Sequence, residues 1–143
     1  GCKRSRHAVC LMFVEGTQAS GTGKKEINLG RVNAILKEAK DKHLVARPFR
    51  SEDRKETEGV CFCCDDCCAY FLDPKEVCDK GVKREKTAME ACDKCGICID
   101  VCYFGARKLS KGELKIDQKQ CYGCGLCADI CPQQCVEMVV RQS

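Results

Sequence analysis

One eleven-residue pattern occurs twice in this chain, and it leaves the surrounding residues few ways to fold. Cys92-Asp-Lys-Cys95-Gly-Ile-Cys98-Ile-Asp-Val-Cys102 matches Cys121-Tyr-Gly-Cys124-Gly-Leu-Cys127-Ala-Asp-Ile-Cys131, with first cysteines 29 positions apart. Gly96 and Asp100 coincide with Gly125 and Asp129, while Ile97 and Val101 are answered by Leu126 and Ile130. Each copy reads C-x2-C-x2-C-x3-C. A repeat this close implies two copies of one structural unit. Two-residue gaps place successive thiols on one tight loop, which is metal-ligand spacing rather than the scattered spacing of a disulfide framework. The same distinction governs the whole chain, in which 17 of 143 residues are cysteine. Thiols that hold metal must stay reduced, so a cytoplasmic location is expected. No secretory signal and no apolar run of membrane-spanning length is read from the residues.

The repeat resembles bacterial-type two-cluster (2×4Fe–4S) ferredoxins, and the resemblance covers residues 88–143. Pro132 follows Cys131 as that family expects, whereas Tyr103 replaces the matching proline after Cys102. The resemblance implies an α+β, ferredoxin-like two-cluster fold at the C-terminus. In such a pattern the first three cysteines wrap one corner of a cube, and the fourth starts a short helix and reaches the other cluster. Cluster one then takes Cys92, Cys95, Cys98 and Cys131, and cluster two takes Cys121, Cys124, Cys127 and Cys102. Gly96 and Gly125 let backbone amides approach the cluster sulfurs. A pair of zinc ribbons is the rival reading of the same cysteines, although zinc sites pair two C-x2-C units and need no fourth cysteine at x3.

Three regions are expected. Residues 1–60 form a basic N-terminal extension, irregular and partly helical, with 13 Lys/Arg against 8 Asp/Glu. Within it, Glu15 to Lys25 reads as a loop. Asn28 caps a helix over 29–42, with Leu29, Val32, Ile35, Leu36 and Ala39 at helical spacing. Pro48 and the charged run Arg50 to Glu58 read as a linker. Residues 61–87 are a Cys-rich segment. Cys61, Cys64 and Cys67 repeat the spacing of a cluster loop, and Cys78 is the remote fourth ligand of a third 4Fe–4S cluster, with Cys63 and Cys68 as substitutes. A zinc site in this segment is the alternative. Residues 88–143 are the ferredoxin domain, with a hairpin over Arg107 to Ile116 and a closing strand over Val136 to Val140. Cys2, Cys10 and Cys135 fall outside any complete motif, and Cys135 is expected beside cluster one as an unligated thiol. His7 and His43 read as surface or helix-end residues.

These features indicate an iron–sulfur electron-transfer protein without a catalytic constellation of its own. Gly21-Thr-Gly23-Lys24-Lys25 lacks the full phosphate-loop pattern. The formal charge of +4 counts every cysteine as neutral. Each 4Fe–4S cluster on four thiolates adds about −2, so the basicity does not argue for nucleic acid. The whole arrangement is similar to polyferredoxin subunits of anaerobic oxidoreductases, including those of class II benzoyl-coenzyme A reductases. That similarity implies a larger redox enzyme as partner, in a hetero-oligomer with no membrane span. A free-standing ferredoxin, or a metal-binding regulatory protein built on the 61–78 site, is the alternative.

Overall fold

The computed structural model describes residues 2–5, 9–13 and 23–142. His7 and most of the Glu15–Lys25 loop lie outside the described residues. The chain divides into two compact units, residues 1–68 and 69–143.

The N-terminal unit is an antiparallel three-stranded sheet with one helix. Strand β1 (Val9–Met12) and strand β2 (Val45–Arg50) flank a central strand β3 (Thr57–Cys63). The extension is therefore not irregular. The expected linker is also corrected: β2 and β3 form a hairpin. Its loop is closed by Ser51 N–H to the Glu56 carbonyl, at 3.0 Å, and by Asp53 accepting from the Ser51 hydroxyl and the Lys55 amide. Pro48 misled the reading because proline is excluded only from interior strands, and β2 lies at the sheet edge. Gly59 is required by close approach. A Cβ there would lie 2.4 Å from the Leu11 carbonyl oxygen, so only glycine lets β1 pair at this point.

Helix α1 (Leu29–Asp41) starts where expected. The Asn28 side chain accepts from the Arg31 amide at 2.9 Å, satisfying a donor the first turn leaves unpaired. It ends in a Schellman motif. His43 takes a left-handed φ of 52°, its amide bonds to the Lys40 carbonyl, and the Leu44 amide returns to Ala39 at 2.8 Å. His43 is thus a helix-end residue. Ile35 and Ala39 are buried with Leu44 and Val45, whereas Leu29 and Leu36 are exposed.

The C-terminal unit is built around the repeat. A one-turn helix α2 (Ala69–Leu72) precedes strand β4 (Lys83–Thr87). Helix α3 (Ile97–Asp100), hairpin β5 (Arg107–Ser110) and β6 (Glu113–Ile116), helix α4 (Leu126–Ile130) and strand β7 (Val136–Val140) follow. The hairpin turns at Lys111 and Gly112, whose φ values of 53° and 77° match the two positive angles of a type I′ turn. β4 pairs antiparallel with β7, from Lys83 opposite Val140 to Thr87 opposite Val136. The unit that holds the repeat therefore begins before residue 88, within the segment read from sequence as Cys-rich.

A buried ion pair ties the two small sheets together. Glu85 on β4 and Arg107 on β5 are 1% and 3% exposed. Arg107 Nη1 donates to Glu85 Oε2 at 2.9 Å and Nη2 donates to Thr87 Oγ1 at 2.9 Å. Gln118 Nε2 donates to the other carboxylate oxygen. The fork satisfies both charges, so removing one partner would strand the other without water. Burial alone would depress the Arg107 guanidinium, but Cys127, Cys98 and Glu85 around it hold its pKa above the usual value.

Arg107→Met should cost about 3–5 kcal/mol in anaerobic denaturant unfolding of the cluster-loaded protein, and Glu85→Met/Arg107→Met should recover most of that loss. A double variant no more stable than the single one would refute the pairing. Gly123 and Gly125 offer a second comparison. Both have positive φ, but a Cβ on Gly123 would lie 2.1 Å from the Lys83 carbonyl oxygen, while none lies within 4 Å at Gly125. Gly125→Ala should cost only the left-handed penalty, about 1–2 kcal/mol, and Gly123→Ala measurably more. Equal losses would contradict the packing.

Candidate metal centres

The two cysteine loops share one backbone solution. In the first, Lys94 and Gly96 have φ values of 57° and 83°; in the second, the equivalent Gly123 and Gly125 have 78° and 85°. Two left-handed residues per loop give both loops the same tight curl. Gly96 and Gly125 cap α3 and α4, and their carbonyls accept the first helical bonds, from Ile99 at 2.8 Å and Ala128 at 3.0 Å. The third cysteine of each copy, Cys98 or Cys127, lies inside the helix. The fourth, Cys102 or Cys131, follows its end. The expectation that the fourth cysteine starts the helix is corrected. The left-handed glycine, two residues before the third cysteine, caps the helix that begins at the next residue.

Cys102 leaves its own repeat and joins the other. Together with Cys121, Cys124 and Cys127 it lines one pocket that is partly open to solvent. Val101, Ala106, Phe104, Tyr122 and Met138 supply apolar wall. Burial pushes the Cys127 thiol up to about 12, against the pull of Arg107. A thiol that burial holds protonated ionises when a cation compensates it, and a positively charged metal core does that. Four sulfurs around one pocket, apolar walls and glycine-shaped loops suit a 4Fe–4S cluster.

The cysteines of the first loop are held by a different set of contacts. Cys98 Sγ accepts from Arg107 Nε at 3.3 Å, and Cys95 lies near Cys98. Cys131 Sγ is 3.4 Å from Cys135 Sγ, and Cys135 also bonds Cys92. Cys135 thus bridges Cys92 and Cys131, which come from different repeats. Burial, then the Cys131 bond, pushes the Cys135 thiol up to about 12. Gln133 Nε2 donates to Asp93 Oδ2 at 3.1 Å, fastening the turn after Cys131 to the first loop.

Sequence reasoning missed Arg107 and Glu85, which sit in an ordinary charged strand run and carry no motif. It also missed an aromatic group. Phe104 stacks on Tyr122 with centroids 4.3 Å apart, and Phe71 meets Phe104 and Tyr103 at 5.0 and 5.9 Å. Tyr103, the residue in place of the family's proline, has its ring in this group.

In the N-terminal unit the cysteines are sorted differently from the expectation. The sulfurs of Cys2, Cys64 and Cys67 lie within 4.8 Å of one another. Cys61 does not join them. It faces Cys10 directly across β1 and β3, with the sulfurs 2.7 Å apart. Cys63, two residues on and on the same face of β3, lies 3.0 Å from Cys68. Cys78 belongs to the C-terminal unit, where its thiol donates to the Tyr70 carbonyl at 3.4 Å. The bond donated by Cys61, with help from Arg47, brings the Cys10 thiol down to about 7.

Among the described residues no helix is long and apolar enough to cross a membrane. No curated protein matches the chain. A family model described as a 4Fe-4S dicluster domain matches residues 91–135, a span that includes both loops and the fourth cysteine of each. The C-terminal unit therefore contains an iron–sulfur domain of ferredoxin-like type, and the chain's role is in iron–sulfur electron transfer.

Proposed function

We propose that this chain is a small subunit relaying electrons to or from a larger redox enzyme. One 4Fe–4S cluster is held by Cys92, Cys95, Cys98 and Cys131, and a second by Cys121, Cys124, Cys127 and Cys102. The observation that carries this reading is the position of Cys102, which lines one pocket with the three cysteines of the other repeat. Bound there, such a cluster supplies one-electron transfer with little rearrangement of its surroundings.

The chain's own residues do the rest. The thiolates bind, and Val101, Ala106, Met138 and the stacked Phe104–Tyr122 pair limit water at the second centre. Arg107 is paired with Glu85, donates to Cys98 and lies close enough to act on Cys127. A guanidinium in that position lowers the cost of adding negative charge at either set of sulfurs.

The subunit reading rests on the N-terminal region, with residues 1–60 as anchor, 61–87 as a Cys-rich metal-binding segment and 88–143 as the relay domain. Leu29 and Leu36 are 73% and 46% exposed on α1, seven residues apart and hence on one side of the helix. The excess of Lys and Arg over residues 1–60 suits an acidic partner surface. The polyferredoxin subunits of anaerobic oxidoreductases, including the class II benzoyl-coenzyme A reductase type, are the relatives this arrangement fits.

Crossed ligation has a clear signature. Cys102→Ala should remove the same centre as Cys124→Ala, losing about four irons per chain, and should differ from Cys95→Ala in EPR spectrum and midpoint potential. If Cys102→Ala matches Cys95→Ala instead, the assignment is wrong. For the partner, Leu29→Glu/Leu36→Glu should abolish copurification with a large redox enzyme from the native source while leaving the iron content unchanged. A wild-type protein that runs alone and reduces unrelated acceptors equally well would identify a free ferredoxin.

A further inference from the structure

Seven cysteines lie in the N-terminal unit, and close pairing occupies four of them: Cys10 with Cys61 across the sheet at 2.7 Å, and Cys63 with Cys68 beyond the strand's end at 3.0 Å. The remaining three form a different kind of group. Cys64 and Cys67 sit at either end of the turn after β3, and Cys2 is brought to them from more than sixty residues away. The Cys2 and Cys64 sulfurs are 3.3 Å apart. We infer that Cys2, Cys64 and Cys67 are the ligands of a single tetrahedral ion of the zinc type, separate from the iron–sulfur centres.

The spacing of the sulfurs is the first argument. A zinc–sulfur bond of about 2.3 Å places two sulfurs of a tetrahedron about 3.8 Å apart. All three sulfurs here lie within 4.8 Å of one another. A four-iron cube attaches each cysteine to a different iron and holds the sulfurs farther apart. The C-terminal unit provides the contrast within the same molecule. Among the described residues, no three of its cysteines come as close together as these do, although four of them line one pocket.

The second argument is the surrounding hydrogen bonding. The Ser5 amide donates to Cys2 Sγ at 3.3 Å. The amides of Asp66 and Cys67 are directed at the Cys64 sulfur. Amides aimed at sulfur stabilise thiolate and orient it, as the outer contacts of metal ligands do. The segment carrying Cys2 is also fastened. The Lys3 amide donates to Asp66 Oδ2 at 2.6 Å, Arg4 Nε to Asp65 Oδ1 at 2.8 Å, and Ser5 Oγ to Glu38 Oε1 of α1 at 2.9 Å. Ser5 is buried. These contacts engage the two carboxylates that neighbour the cysteines in sequence. Three thiolates then remain, and the fourth position is left to water or a small exogenous ligand, as in zinc sites with three protein ligands.

Such a site does not depend on the relay reading, and zinc bound at three thiolates is detected independently of the iron. Full-length protein isolated anaerobically with its clusters should carry about one zinc per chain in addition to the cluster iron. X-ray absorption at the zinc edge should show three sulfurs at about 2.3 Å and one lighter ligand. Cys2→Ser and Cys67→Ser should each lose the zinc while keeping their iron, and Cys10→Ser and Cys61→Ser should keep both. Absence of bound zinc from the wild type even after incubation with the metal would overturn the inference. So would its survival in Cys2→Ser, or a loss of about four irons in that variant, which would indicate a third cluster. The absorption measurement on the wild type needs no variant to fold, and a shell of four sulfurs would also refute the three-thiolate site.

Discussion

The sharing of one pocket by cysteines of both repeats is the constraint on which the C-terminal unit turns. Three residues of x3 spacing, with a helical turn among them, carry Cys102 out of its loop and into the pocket lined by Cys121, Cys124 and Cys127. The two halves are thereby tied to each other through the pocket as well as through sheet pairing. A unit this small has limited apolar area to bury, and its buried residues include as many short side chains as large ones. Sulfur ligands converging on a common group can supply the cross-links that such a core lacks.

The same unit spends polar interactions where a larger domain would place hydrocarbon. Arg107 is surrounded by Glu85, Thr87 and Cys98, and its contacts with Glu85 and Thr87 join segments at least twenty residues apart. An ion pair buried to this degree is weak support for stability compared with an apolar replacement. Its position between the sulfurs of both repeats gives an electrostatic reason for it. A cation held there by a rigid fork acts on two sets of thiolates at once, and the fork prevents it from turning away to solvent.

The N-terminal unit shows how sheet register sorts chemically identical residues. Cys61 and Cys63 are both inward-facing positions of β3, so the two-residue period sends them to one face, opposite Cys10 and near Cys68. Cys64, one residue beyond the strand, escapes that face and begins the turn that includes Cys67. Sequence spacing alone grouped Cys61, Cys64 and Cys67, because C-x2-C-x2-C suits a loop. A strand running through Cys63 breaks that spacing, since its first cysteine is then extended and paired.

Much was legible before the fold was known. The repeat, the hairpin over Arg107 to Ile116, the Asn28 cap and the strand Val136–Val140 are local matters. Each depends on a few neighbouring residues and the dihedral angles they accept. The identity of the iron–sulfur domain belongs to this class, since its ligand spacing lies within single loops. The tertiary structure decided the rest. It paired β4 with β7, enlarging the unit beyond the repeat, turned a supposed linker into a hairpin, buried Arg107 against Glu85, and brought Cys2 to Cys64 and Cys67. Those outcomes join residues far apart in the chain. They are set by strand order, register and burial, which no window of sequence contains.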